Sequence, residues 1–464
     1  MTLSLELASR ICAFDSSRAA PEVLEAARTA VTDTLAVTVL GASDPATQIL
    51  ERTPGLADGE GPCVVVGTPL KRSLLDAALL NGVASHAHDF DDFTQEFGGH
   101  PSVPVLPGLL ALADARTFSG RNLLHAFIVG VEAETRIASG VHFHHYEKGW
   151  HPTATLGVFG AASACAYVMG LNDQQTATAL CIAASLASGV KANFGTMTKP
   201  LHVGHCARNG LLAALLAEAG FSANLAAFEA PQGFLNVFNG PGRYDVDRML
   251  DPWFDPPLVL EPGISIKQFP CCGSTHPAIY AALGLRRDHD IDSGDISEIE
   301  IRTHPLRLPH TDNPMPESPL QAKFSIQYCV ARALSSGNVS LSDFGQEQIR
   351  DPETRRLMGS TAVVPDAAFA GSKHRAFGAS VAVGLNDGRR LKGEVAQRAG
   401  RGRDDPMSTE ELKAKFDDCT RNALPEARAA ALWALLGGLE QVPEAGQLTR
   451  ALAVEMPRSR AVAG

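Results

Sequence analysis

The sequence predicts a mainly α protein: a large all-helical domain built from both chain ends, plus a smaller inserted α+β lid domain. Three observations carry this reading. Apolar residues recur at helical spacing from Leu3 to Glu218 and again from Ser408 onward. Strand-like alternation is confined to the stretch after Pro256. Alanine is abundant while aromatic residues make up only 6%, which suits closely packed helices. A chain of 464 residues exceeds what one core usually fills, so the expected division is 1–265 and 404–464 for the helical domain and 266–403 for the lid.

The elements follow in order. Residues 3–53 read as two or three helices, with Pro21 in a first turn ahead of the run Val23–Leu40. Gly55–Thr68 is a Gly/Pro-rich connection around a β-like run, Cys63–Val66. Helices are expected over Ser73–Val83, Val103–Arg116 and Gly120–Ile137. His142–Gly149 reads as irregular and polar. Thr153–Leu171 and Asp173–Ser188 are apolar helices parted at Gly170, and Pro200–Glu218 stops at Gly220. In the lid, Ile296–Thr303 alternates as a half-buried strand and Pro319–Leu334 is helical. Ala376–Val383 and Arg390–Ala396 flank Asn386-Asp387-Gly388, a hairpin signal. Glu410–Asn422 and Pro425–Leu439 return to helix. A cleft between the two domains is the natural ligand site.

Composition excludes several classes. A net charge of −11 disfavours nucleic-acid binding, which needs clustered cations. Nine cysteines without CxxC spacing read as reduced thiols in a cytoplasmic protein. The N-terminus lacks the basic start and unbroken apolar core of a signal peptide, and Leu156–Leu171 is too short and too interrupted to cross a membrane. There is no GxGxxG, P-loop or GxSxG element.

The chemistry concentrates in a few stretches. Ser85–Pro104 holds His86, His88, His100, Asp89, Asp91 and Asp92 between two apolar helices, a density of proton carriers suited to acid/base work. His151 precedes Pro152 at a helix start, with Tyr146 just upstream. Lys199 opens a strongly apolar helix, against the macrodipole, so an anionic ligand should offset it. Lys267 falls at the domain boundary and His276 begins a further helix. Taken singly, each has a structural alternative: a cap, a snorkelling lysine, an exposed lysine. Together they point to proton transfer on an anionic small molecule. His142, His144 and His145 with the aspartates fit no standard zinc spacing, so a metal is not expected there.

HAHDFDD with its following HPS, GWHPTA, TKPLHVGHCARNG, IKQFPCCGSTHPA and QAKFSIQY, in this order, resemble the MmgE/PrpD family over roughly residues 5–450. That family includes 2-methylcitrate dehydratase, cis-aconitate decarboxylase and iminodisuccinate epimerase. The resemblance implies a homodimer working without metal or cofactor on a small di- or tricarboxylate. It places Asp89, His100, His151, Lys199 and Lys267 in the pocket. His310, ahead of Pro314-Met315-Pro316, stands where the decarboxylase branch has tyrosine, and Val103-Pro104 stand where the dehydratase branch has Asp-Asn. By elimination the resemblance favours the epimerase branch. Lys199, Lys267, His276 and His310 would bind substrate. Asp89, His100, Tyr146, His151 and Lys199 would carry catalysis.

Overall fold

The computed structural model describes residues 1–454 apart from 16, 18, 371–376, 397 and 399. The chain is mainly α, with two separate cores. Long helices Pro21–Gly41, Leu74–His86, Ser102–Ala115, Gly120–Ser139, Gly157–Val168, Asp173–Leu186 and Thr198–Glu218 bury their apolar residues in the larger core. Phe416, Leu432, Leu436 and Leu448, from the last part of the chain, complete that same core. Ser73, Ser119 and Asn172 cap three of these helices through their side-chain oxygens, satisfying N–H groups that the helix leaves free.

The second core runs from Phe269 to Leu385. It lies on a four-stranded sheet ordered Thr361–Pro365, Ile296–Thr303, Ala379–Leu385, Arg390–Val395. Helices His276–His289 and Ile326–Ser336 pack on one another, and the former covers the two last strands. Ile299 pairs with Val383 across an antiparallel ladder and with Thr361 across a parallel one. The parallel strand Thr361–Pro365 was not expected, because five residues ending in proline show neither sustained alternation nor a hairpin turn. The strand expected from Ala376 begins at Ala379, and Ala376 itself lies outside the described residues.

Two further departures are local. The helix expected over Pro319–Leu334 breaks into Pro319–Ala322 and Ile326–Ser336. Ser325 causes the break: its hydroxyl accepts from Tyr328 N and donates to Asn313 O, which is cap chemistry inside an apolar run. The stretch 142–149, expected to be irregular, contains a single helical turn, His144–Glu147.

Helices Leu74–His86 and Thr198–Glu218 cross more closely than side chains permit. A Cβ on Gly82 would stand 2.7 Å from Gly204 Cα, and one on Gly204 would stand 2.5 Å from Leu79 O. The first helix ends at His86 and the second begins beside Lys199, so this crossing sets how near those two residues come. Gly204→Ala is therefore expected to lower stability by about 1–3 kcal/mol through overpacking. A urea midpoint equal to that of the wild type would show that the crossing has slack.

Candidate active site

The site is assembled at three chain turns. After helix Leu74–His86 the backbone enters the left-handed region at Asp89, φ +52°, a conformation aspartate tolerates better than most residues. The following loop is held by bridges between Phe93 and Ser265 and between Thr94 and Gly99. The first of these draws in the segment that carries Lys267. Helix Thr198–Glu218 supplies Lys199 from its first turn.

Where the sequence suggested an anionic ligand opposite Lys199, the structure places a carboxylate of the protein itself, Asp89. Its Oδ1 accepts from Lys199 Nζ at 2.8 Å and from Lys267 Nζ at 2.9 Å, and Lys267 Nζ also donates to Asp89 O at 2.8 Å. All three residues are buried. Burial alone would raise the Asp89 carboxyl, but the two ammonium groups outweigh it and hold its pKa well below the usual carboxylate range. Burial likewise opposes the Lys267 ammonium, and the Asp89 and Asp91 carboxylates more than compensate, holding its pKa above its ordinary value.

A second layer lies behind. Lys199 Nζ is 2.7 Å from His86 Nε2, and His86 Nδ1 is 2.8 Å from Asp91 Oδ2. Because the ammonium has only donors, His86 Nε2 accepts, and His86 Nδ1–H donates to Asp91. Desolvation pushes His86 down to about 3, so it is a neutral imidazole of one tautomer. His100 places Nδ1 2.8 Å from the same Asp91 oxygen and Nε2 3.5 Å from Asp89 Oδ1. His151 stacks on His86 at 5.9 Å, and its Nδ1 is 3.2 Å from His202 Nδ1. It makes no cap hydrogen bond, which removes the capping alternative. Burial first, then Lys199, holds His151 well below its usual range.

These groups line one pocket between the two cores. Asp89, His100, His151 and Lys199 come from the larger body; Lys267, Arg307, His310, Phe324 and Phe377 come from the segments after it. Tyr146 is also in the wall. Burial pushes its phenol up to about 12, with the Arg307 guanidinium beside it pulling the other way. Arg307 stacks 3.9 Å over Phe377. His310 Nε2 is 3.2 Å from Ser274 Oγ, and desolvation takes it down to about 3.

His276, expected to bind substrate, lies elsewhere. It is fully buried in the second core against Phe269 and Tyr280, with Nε2 3.3 Å from Cys271 O, and it does not line the pocket. A helix-start position says nothing of which way the ring turns. Conversely, His86, Asp91, His142 and Arg307 belong to the site or its support without having been assigned a role from sequence. His86 and Asp91 stand inside the HAHDFDD stretch, so their signal was present. Arg307 sits in a short helical turn, Pro305–Arg307, with no local pattern to mark it.

His86, Asp89, Asp91 and His100 could be drawn as ligands for a metal, their ligand atoms lying within 4.8 Å of one another. The donor set does not fit a cation. Asp89 Oδ1 already carries two ammonium groups, and Asp91 Oδ2 already faces two imidazoles. A divalent ion would sit against Lys199 and Lys267.

Burial of neutral histidines has a consequence for pH. His86, His142 and His310 are lowered to about 3 and His145 to about 4, whereas the unfolded chain protonates histidine near 6.5. Below that value the unfolded state binds more protons, so stability falls as pH falls. Each such group adds up to about 1.4 kcal/mol per pH unit. Melting temperature is expected to drop between about pH 6.5 and 4, with the raised Asp92 and Glu134 carboxyls opposing the fall, and a rise over that range would show that the histidines are outweighed.

Comparison with known proteins agrees with this architecture. Residues 5–247 match the MmgE/PrpD N-terminal domain and residues 269–441 the MmgE/PrpD C-terminal domain. The chain is 29% identical to a cis-aconitate decarboxylase of Homo sapiens, over 93% of this chain and 90% of that protein. It is 30% identical to the one of Mus musculus, over 81% and 78%, and 27% identical to one of Aspergillus terreus, over 96% and 95%. Matched by both domains of the family and by relatives along nearly its whole length, the chain belongs to the MmgE/PrpD family.

Proposed function

We propose that this protein is a cofactor-independent lyase that decarboxylates a small unsaturated tricarboxylate of the cis-aconitate kind. The observation that carries the reading is the charge of the pocket: Lys199, Lys267 and Arg307 surround it, and Asp89 is the one carboxylate in its wall among the described residues. Each lysine ammonium spends two donors inside the protein, Lys199 on Asp89 and His86, Lys267 on Asp89 twice. One N–H on each remains for a ligand. Three cations match three carboxylates, and the names of the relatives favour cleavage of a carbon–carbon bond.

Loss of carbon dioxide leaves an electron pair on carbon, delocalised toward a neighbouring carboxylate. Preplaced ammonium groups in a water-poor site stabilise such charge as it develops. The carbanion then needs a proton. Tyr146 is a phenol at neutral pH and adjoins Arg307, which makes it the donor in this reading. His151 is held neutral by burial and by Lys199, its tautomer linked to that of His202 through their facing Nδ1 atoms. His100 and Asp91 orient Asp89. His310 binds substrate beside Ser274, where its neutral imidazole offers a hydrogen bond rather than charge.

The second reading is the one the sequence suggested, epimerisation of an iminodisuccinate-like dicarboxylate. Tyr146 and His151 both line the pocket, which supports it, since inverting a carbon needs a proton carrier on each of its two faces. Proton NMR in D₂O with purified enzyme separates the readings. Decarboxylation predicts carbon dioxide release and one deuterium in a new alkene product. Deuterium at an α carbon with no mass loss would establish the epimerase, and an alkene formed without carbon dioxide would mean dehydration.

Two variants test the pocket. Lys199→Met is expected to lower kcat/KM by at least about 10²-fold, the loss typical of removing one preplaced charge stabiliser; unchanged turnover would remove Lys199 from the site. Arg307→Gln should raise KM for a tricarboxylate more than for a dicarboxylate. Equal effects on both would assign Arg307 to holding Tyr146 instead.

A further inference from the structure

We propose that Lys415, from the chain's last helical segment, is a positioning residue that sets the distance between Asp89 and Lys267. It stands in helix Thr409–Thr420, far from either residue in sequence, and is 7% exposed. Its ammonium donates to Phe90 O at 2.8 Å and to Lys267 O at 2.9 Å, and lies 2.6 Å from Asp33 Oδ1. Two of its donors go to backbone carbonyls, and the Asp33 carboxylate supplies the facing charge. Phe90 directly follows Asp89, and its ring lies 3.9 Å below the ammonium. One nitrogen therefore ties together the two backbone segments whose side chains form the Asp89–Lys267 pair. Asp33, from helix Pro21–Gly41, anchors that nitrogen in the larger core.

The arrangement differs from an ordinary buried ion pair. Any buried ammonium must satisfy its donors, but here the acceptors are the carbonyls of Lys267 and of the residue after Asp89, so satisfying them also fixes the separation of the two segments. The bridge between Phe93 and Ser265 joins the same two segments a few residues away, so Lys415 supplies the second tie that stops them pivoting. The role in turnover rests on the proposed function, in which Asp89 and Lys267 belong to the substrate site.

The test uses full-length protein with Lys415→Met and with the paired change Asp33→Asn/Lys415→Met. The single change leaves a buried carboxylate without its partner and is expected to destabilise the fold. The paired change removes both charges, so its melting temperature should return to within a few degrees of wild type. Hydrogen–deuterium exchange of the paired variant should then be at least about tenfold faster in segments 88–94 and 264–270 and unchanged in helix 157–168. Its kcat/KM on cis-aconitate should fall about 10²-fold, the scale expected when reacting groups shift by about an ångström. Unchanged exchange in the two segments, or acceleration spread evenly through the helices, would overturn the proposal. So would wild-type turnover in the paired variant. If the wild type turned over no carboxylate, the functional reading would fail by itself, while the exchange pattern would still decide whether Lys415 is the tie.

Discussion

One buried carboxylate oxygen, Oδ1 of Asp89, holds two buried lysines. Removing any of these three charges from water carries a penalty of several kcal/mol, offset only when its partners are close and well directed. The three cannot be buried separately. Asp89 must leave its helix in a left-handed turn, Lys199 must open a helix against the macrodipole, and Lys267 must arrive along the segment that joins the two bodies. The site forms where those demands are met together.

The charge pattern then dictates the state of the surrounding groups. Two ammonium groups and a desolvated environment keep His86, His100 and His151 neutral, although histidine is elsewhere a half-charged residue near neutral pH. Neutral rings can pass protons without adding charge that would repel a polyanion. Asp91 fixes the orientation of His86 and faces His100, so the imidazoles meet the pocket in set orientations. The pocket draws positive charge from lysine and arginine, and proton transfer from imidazole and phenol.

Much of this was legible before the fold was known. The helical periodicities mark the long helices within a few residues, and side-chain caps at Ser73, Ser119 and Asn172 fix three of their starts. Ile296–Thr303 matched to the residue, its alternation being that of a strand buried on one face. Thr361–Pro365 was invisible for the opposite reason: a parallel strand needs no turn next to it and here is too short to show a period. Asp89, His100, Tyr146, His151, Lys199, Lys267 and His310 do line one pocket. His276 failed because proximity in sequence to Lys267 says nothing about which side of a helix start a ring occupies. His86 was counted among the proton carriers but given no role of its own, because its Nδ1 and Nε2 partners, Asp91 and Lys199, are set only by the fold.

The sequence by itself determined the kind of protein: a mainly helical chain with apolar periodicity toward both ends, and a surplus of proton carriers at a few turns. These are local properties, set by periodicity, capping and composition, and they survive without knowledge of neighbours. Tertiary structure alone decided which cation faces which anion. Arg307 beside Tyr146, Lys415 between two carbonyls, and Asp89 between two lysines are pairings across long sequence separations. Their energies depend on distance and desolvation, quantities that exist only once the chain has closed around them.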